Sequence, residues 1–154
     1  MRQLYTVLSA ILLFNCFVLA CNNDNNGSDE KADITINFNP NPVTYDYFDE
    51  DLQNYYWKPY TLYVDEKAGV GATLFEWKTE EYTANGTLLA VWDGPQIFFL
   101  DPYGEFKMTF VVSWDYAQTN ILDGWYKIEK MKFKDDNRNI IEVSGQVNFL
   151  AVQD

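Results

Sequence analysis

Residues 124–134 read GWYKIEKMKFK, and residues 140–152 read IIEVSGQVNFLAV. In the first run, apolar and polar side chains alternate with the period of two that is typical of a strand with one buried face. The residues on the mostly apolar face are Trp125, Lys127, Glu129, Met131 and Phe133. A slip of one residue would bury the lysines of the other face, so the register is well specified. The two runs therefore predict a hairpin packed on a core.

The turn between these runs, residues 135–139, is built of Asp, Asn and Arg, and Asp and Asn favour tight reversals. Its Asp135, Asn137 and Asn139 mimic the start of a calcium-binding loop. A calcium-binding loop of this kind needs Gly at its sixth position and Glu at its twelfth. Here the sixth position is Ile140, and no Glu stands at the twelfth. We interpret the segment as a hairpin turn. In the second run, Gly145 breaks the alternation, which predicts a bulge or the close approach of another backbone.

The same alternation extends outward from this hairpin over most of the chain. Turn residues such as Asn85-Gly86, Asp93-Gly94-Pro95 and Asp101-Pro102-Tyr103-Gly104 separate the apolar runs. The predicted strands are Ile34–Phe38, Tyr60–Val64, Ala72–Thr83, Thr87–Trp92, Gln96–Leu100, Glu105–Trp114, Gly124–Lys134 and Ile140–Val152. The sequence therefore predicts an all-β domain of about eight antiparallel strands.

Two stretches give this pattern a family resemblance. Residues 39–43, NPNPV, and residues 60–74, YTLYVDEKAGVGATL, resemble the first two strands of bacterial immunoglobulin-like β-sandwich domains, and the last hairpin is similar to theirs. The resemblance implies a sandwich fold and no catalytic residue. The inter-sheet cysteine pair of antibody domains is missing here. The resemblance then implies that large side chains fill the core, namely Trp57, Trp77, Phe110 and Trp114.

A small up-and-down barrel of the lipocalin kind is the alternative fold. The strands from Ala72 onward follow one another through short hairpins, and such a meander closes naturally into a barrel. The long connection between the first two predicted strands contains the acidic loop Asp46–Asp51, and it is more typical of a sandwich crossover. We expect the sandwich.

The first twenty residues have the pattern of a signal peptide. Arg2 is followed by an apolar run that ends at Ala20 and is too short for a comfortable membrane span. The sequence Val18-Leu19-Ala20-Cys21 resembles the lipobox of bacterial lipoproteins, although Val18 and Leu19 depart from the preferred residues. The resemblance implies that Cys21 is lipidated and becomes the mature N-terminus. A free Cys21, or one paired with Cys16, is the alternative.

Residues 21–32 are polar and free of aromatic side chains, so we expect a flexible acidic tether before a domain that spans residues 33–154. Within it, Ser28-Asp29-Glu30 resembles the export signal of surface lipoproteins of Bacteroidota. We therefore expect an extracytoplasmic protein, lipid-anchored at the outer membrane or cell surface. A plain spacer on a periplasm-facing lipoprotein is the other interpretation.

Composition excludes several function classes. The chain has no His and a formal net charge of −12. Histidine-based triads and histidine-ligated zinc are therefore excluded, and the acidic charge argues against nucleic acid. Paired carboxylates could hydrolyse glycosides without His, but a body of this length leaves little room for a deep cleft. We expect no enzyme, no cofactor and no catalytic residue.

Aromatic side chains beside carboxylates suggest a ligand site. Tyr55, Tyr56 and Trp57 follow the acidic loop that holds Asp49 and Asp51, and rings with nearby carboxylates are a common way to hold sugars. Packing in the core is the competing interpretation for each ring. The loop could also bind calcium weakly at Asp49 and Asp51, but a solvated acidic loop is the default, so we assign no metal.

These observations lead to one expected function and one alternative. We expect a non-enzymatic module, anchored to the membrane through the lipid on Cys21, that serves binding or adhesion with a glycan or an envelope protein as partner. The alternative is a lipocalin-like carrier that encloses a small apolar ligand in a closed barrel.

The lipid anchor can be tested directly. In bacteria that express the full chain, we expect Cys21→Ser to abolish incorporation of an alkyne fatty-acid analogue, because no other cysteine follows it. Cys16→Ser is the matched control and should leave labelling intact. Equal labelling of the Cys21→Ser chain and the parent would contradict the assignment.

Overall fold

The computed structural model describes residues 30–94, 97–115 and 121–152. The predicted signal peptide, Cys21 and most of the predicted tether lie outside the described residues. The described chain is a β-sandwich of two antiparallel sheets that do not close into a barrel. The predicted sandwich is thus confirmed, and the barrel alternative is wrong. Within the described ranges, no helix is long and apolar enough to cross a membrane.

Nine strands lie within these ranges. They are β1 (Ile34–Asn39), β2 (Tyr45–Asp49), β3 (Asn54–Glu66), β4 (Ala72–Thr83), β5 (Leu88–Asp93), β6 (Phe99–Leu100), β7 (Glu105–Asp115), β8 (Trp125–Asp135) and β9 (Ile140–Phe149). In the first sheet, β3 pairs with β1 and β2 along one edge and with β7 along the other. In the second, β4 pairs with β5 and β6 on one edge and with β8 on the other, and β9 follows β8.

The prediction of eight strands missed β2 and half of β3. The acidic loop predicted at Asp46–Asp51 overlaps β2, whose residues Tyr45–Asp49 pair with the start of β3. Their register shifts between Tyr45 and Tyr47, so the intervening Asp46 disturbs the alternation that would have revealed a strand. The strand β3 begins at Asn54 rather than at the predicted Tyr60. It continues through Pro59 because this residue lies at a second irregularity, where a strand tolerates proline.

The hairpin β8–β9 forms as predicted. Along β8, Trp125, Glu129, Met131 and Phe133 are buried, as the alternation requires. Gly145 pairs with Glu129 in regular register, so it is not a bulge. A Cβ atom at Gly145 would lie 2.8 Å from the Cγ2 of Ile36 in β1. Side chains of the facing strand β1, rather than another backbone, therefore explain this glycine.

The core consists of two adjoining clusters of buried side chains. One contains Leu62, Leu74, Trp77 and Phe133, and the other contains Trp57, Tyr60, Trp125 and Phe149. Phe38 and Phe110 pack against both clusters. Of the four side chains expected to fill the core, Trp57 and Trp77 are buried, while Phe110 and Trp114 are half-buried. The reason is that both lie on β7, at an edge of the sandwich.

One side of the sandwich is sealed by the segment between β1 and β2. The backbone N–H of Val43 donates to Asn148 O at 2.7 Å, and Val43 O accepts from Leu150 N at 2.9 Å. The side chain of Asn41 donates to Gln146 O at 2.9 Å and accepts from Asn148 N at 3.0 Å. These bonds tie the first sheet to the edge strand β9.

Buried carboxylates hold the turns at one end. Glu66, the acidic residue at the end of β3, accepts backbone hydrogen bonds from Asp33, Ala68, Gly69 and Tyr103. Burial raises the pKa of Glu66, but these four donors outweigh it and the pKa lies below its ordinary value. The ionised carboxylate therefore joins three separate segments.

Asp135 performs the same task in the β8–β9 turn, which confirms the hairpin interpretation of residues 135–139. Its side chain accepts from Asn139 N at 2.7 Å and from the backbone N–H of Ala32 at 3.2 Å. Ala32 is buried. The packed body therefore includes Ala32, one residue before the predicted domain start.

Candidate binding cleft between strands β5 and β7

Within the described residues, the side of the sandwich opposite Val43 is open. Here β7 is the edge of the first sheet and β5 is the edge of the second. Among the described residues, no strand pairs with the second edge of either one. At one end, Phe98 stacks on Phe106 with ring centroids 4.0 Å apart and bridges the two sheets. Toward the other end, the sheets part and leave a cleft.

Aromatic side chains form the two walls of this cleft. On β5, Trp92 pairs with Thr79 and turns toward the interior, yet it stays 57% exposed because a cavity separates it from β7. On β7, Phe110 and Trp114 point inward and remain half-buried. Two adjoining cavities of about 330 and 340 Å³ lie between the walls. The side chains lining both cavities are Glu81, Trp92, Phe110 and Lys127.

An ion pair on the cleft floor fixes the position of Trp92. The Nζ of Lys127 lies 2.7 Å from Oε1 of Glu81, and both side chains are nearly buried. The other carboxylate oxygen, Oε2, accepts from the indole N–H of Trp92 at 2.9 Å. Because both oxygens of Glu81 are engaged, the exposed indole ring is held in one orientation. Lys127 also lies 5.4 Å from the ring centroid of Trp125.

Deeper in the cleft lies a second carboxylate, Glu129, which is 1% exposed. Its Oε2 accepts from the indole N–H of Trp77 at 2.7 Å and from the hydroxyl of Thr79 at 2.6 Å. Burial raises the pKa of Glu129, and the negative charge of Glu81 adds to this, whereas the two hydrogen bonds and Lys127 oppose it. The net pKa lies above the ordinary value, because the cost of burying the charged carboxylate outweighs these favourable contacts.

Three polar atoms near this floor lack a hydrogen-bond partner within the described part of the chain. They are the hydroxyl of Tyr60 and the indole N–H groups of Trp114 and Trp125. Burial raises the pKa of Tyr60, and the charges of Glu129 and Glu81 raise it further. The Tyr60 hydroxyl therefore stays protonated. The cleft thus combines held aromatic faces with carboxyl groups and donors, an arrangement suited to recognition.

The structure separates the three aromatic residues predicted as a ligand site. Trp57 is 1% exposed and lies in the core, because strand alternation turns it inward. Tyr55 is half-buried and contacts Tyr45 and Phe48. Tyr56 faces outward, where it stacks on Tyr47 at 4.9 Å. The three predicted rings do not share one surface, and Tyr56 pairs instead with Tyr47, which was not among them.

The two carboxylates of that prediction lie in the β2–β3 turn. Asp49 Oδ1 accepts from the backbone N–H groups of Asp51 and Leu52, each at 3.0 Å. Asp49 is thus a turn-forming side chain, and Asp51 is exposed. No group of three or more metal-ligating side chains occurs within the residues that the structure describes. The calcium alternative at Asp49 and Asp51 gains no support from this geometry.

A larger depression of about 530 Å³ lies on the outer face of the second sheet. Five of its six charged side chains already pair with one another. Lys130 binds both oxygens of Glu80 at 2.7 Å, and Lys132 lies 3.4 Å from Glu76 and 3.6 Å from Glu142. We therefore place the candidate site in the β5–β7 cleft rather than on this face.

Sequence reasoning missed the cleft residues, although one signal was present. Lys127 and Glu129 fall on the core face of β8, between Trp125 and Met131. Charged residues are rarely buried unless they are paired, so two of them on an apolar face indicate a buried polar cluster. Their partners Glu81 and Trp92 come from other strands, and one sequence does not reveal that pairing.

Comparison with known proteins supports the fold alone. No known family matches the sequence, and no curated protein matches it. The chain is similar in structure to a protein described as ApaA from Bordetella pertussis, with a TM-score of 0.59, 14% identity, and coverage of 80% of this chain and 97% of that one. It is also similar to a structural-genomics target designated SoR45, with a TM-score of 0.57, 11% identity, and coverage of 77% and 86%.

The buried carboxyl of Glu129 predicts a distinctive pH dependence of stability. Its pKa in the fold lies above the ordinary value of 4.5, so the parent chain should lose stability as pH rises from that value through the folded pKa. Glu129→Gln removes this loss. We expect the free energy of unfolding of the variant, relative to the parent, to increase from about pH 4 to about pH 8 in urea titrations.

Glu80→Gln is the control with the opposite sign. Hydrogen bonds from Lys130 and Tyr82 lower the pKa of Glu80, so its stabilisation is present above the ordinary pKa and is lost as pH falls. This variant should therefore be less stable than the parent at neutral pH, with a difference that shrinks in acid. The same trend in both variants would contradict the raised pKa of Glu129.

Proposed function

We propose that this chain is a lipid-anchored module of the bacterial cell envelope that binds a partner molecule in the β5–β7 cleft without catalysing a reaction. The anchor follows from the lipobox-like segment that ends at Cys21, and the polar residues after it provide the tether. The lipid holds the domain at the outer membrane or cell surface, and the cleft supplies the recognition surface.

The observation that carries this proposal is the held but exposed indole of Trp92. A large aromatic side chain that is 57% exposed and fixed by Glu81 offers contact area at little cost in side-chain entropy. Phe110 faces it across cavities of a few hundred Å³, the size range of ligand sites. Glu81 and Glu129 are each engaged with neighbouring side chains, so they hold the floor of the cleft in shape.

The stacked pair Tyr47–Tyr56 favours a second candidate function, which is glycan binding on the outer face of the first sheet. The two rings are nearly parallel, at 7°, and Tyr47 is 48% exposed. Flat aromatic faces suit the apolar faces of sugar rings. This surface retains part of the site predicted at residues 49–57.

Site-specific photo-crosslinking in living cells tests the two candidates. Benzoylphenylalanine is placed at Trp92 in the cleft, at Tyr47 on the outer face, and at Ile140 as a matched exposed control that is 56% exposed. The full lipidated chain is used throughout. We expect Trp92 to give a discrete adduct of higher mass and Ile140 to give none.

The outcomes separate the proposals. An adduct at Trp92 alone supports the cleft, and treatment with protease or glycosidase identifies the class of partner. An adduct at Tyr47 alone would transfer the function to the outer aromatic pair. Absence of an adduct at both positions, with the chain intact in the envelope, would overturn the proposal.

A further inference from the structure

The turns held by Glu66 and Asp135 lie at one end of the sandwich, which we call the turn end. It contains the β3–β4, β6–β7 and β8–β9 turns. The N-terminal side of the domain is fastened at the same end, where the side chain of Asn137 in the β8–β9 turn donates to Glu30 O at 2.7 Å. A chain that arrives from the N-terminus therefore enters the domain at the turn end.

Large apolar side chains are exposed at one corner of the turn end, where β6 pairs with the start of β4. Leu74 N donates to Phe98 O at 2.9 Å, so that Phe75 and Ile97 come next to each other, and Phe98 itself packs on the core. Toward β9, the exposed Lys134 borders this surface. Four side chains, between 45% and 74% exposed, form what we call the apolar corner: Phe75, Ile97, Phe99 and Tyr103.

The position of the apolar corner indicates what covers it. Contiguous exposed apolar side chains mark contacts with protein or with lipid. Cys21, the residue that carries the proposed lipid, precedes Glu30 by nine positions. A chain of nine residues spans at most about 30 Å even when fully extended. The anchor therefore keeps the turn end close to the membrane, where a contact that is weak by itself becomes intramolecular.

The charge of the turn end permits contact with lipid. The whole chain has a formal net charge of −12, which an anionic leaflet repels. The turn end differs, because residues 30–33, 67–71, 101–104 and 134–139 together expose four basic and four acidic side chains, while Asp135 is buried. With these charges balanced, burial of apolar surface is the contribution that favours docking.

We infer that the apolar corner inserts into the interfacial layer of the membrane that holds the lipid anchor. This inference rests on the anchor of the proposed function and adds the orientation of the domain. Aromatic and aliphatic side chains are the groups that interfacial contacts bury.

Such docking also orients the cleft. The stack of Phe98 on Phe106 closes the open side near the turn end, because Phe106 pairs with Val64 close to the end of β3. The cleft extends the other way, toward Trp114, which pairs with Tyr55 near the start of β3. A domain docked by its apolar corner therefore presents the cleft away from the membrane.

Spin labels on single cysteines test this contact with the full lipidated chain in phosphatidylcholine vesicles. Cys21 carries the lipid and Cys16 lies in the predicted signal peptide, so an introduced cysteine is the free thiol of the mature chain. Phe99→Cys places a label at the corner. Leu52→Cys is the matched control in the β2–β3 turn at the opposite end, where Leu52 is 63% exposed. Electron paramagnetic resonance then compares the collisions of each label with oxygen, which concentrates in lipid, and with a water-soluble nickel complex.

We expect the ratio of oxygen to nickel collisions to be at least about threefold higher at residue 99 than at residue 52. Ile97→Glu should lower the ratio at residue 99 at least about twofold, because a carboxylate resists transfer into lipid. Val91→Glu, the matched change at an exposed position of β5, should leave that ratio unchanged. Thermal melting checks that each variant folds.

Flotation of the vesicles in a density gradient separates failure of this inference from failure of the anchor. Equal ratios at residues 99 and 52, in chains that float with the vesicles, would overturn the inference and leave the anchor and the cleft intact. Few collisions with either reagent at residue 99 would show that a second copy of the chain covers the corner, which would also overturn it. Chains that do not float would contradict the anchor, and the inference with it.

Discussion

The structure depends on an asymmetry between the two sides of one sandwich. On one side, Asn41 and Val43 connect the first sheet to β9 through backbone and side-chain hydrogen bonds. On the other side, Phe98 and Phe106 stack at one end, and toward the other end the described residues leave a cleft between β5 and β7. Edge strands with free backbone groups are a hazard that proteins cover or use. The open side is therefore where we propose that a partner binds, and the sealed side holds the sheets together.

Polar groups on the cleft floor give the open side a defined shape. A buried ion pair such as Glu81–Lys127 adds little net stability, because desolvation offsets the attraction between its charges. Its structural effect is clearer, since Glu81 fixes the indole of Trp92, while Glu129 fixes that of Trp77. Two carboxyl groups thus position two aromatic rings that packing alone would leave less constrained.

The sequence allowed the hairpin of β8 and β9 to be predicted in detail, because its alternation and its turn residues agree. It did not allow β2 to be recognised, because Asp46 lies at an irregularity and the acidic residues suggest a loop. The aromatic site was only partly predictable. Alternation along β3 turns Trp57 inward and Tyr56 outward. The cleft, by contrast, is assembled from β4, β5, β7 and β8, and a single sequence does not show which strands meet.

Amide hydrogen exchange, resolved by residue with NMR spectroscopy, tests most directly whether the side between β5 and β7 is open. The account predicts alternation from Phe110 to Asp115, with slow exchange at amides bonded to β3 and fast exchange at those facing the cleft. Amides of β8, which is paired on both sides, should all exchange slowly. Uniformly slow exchange along β7 would show a covered edge and contradict the account.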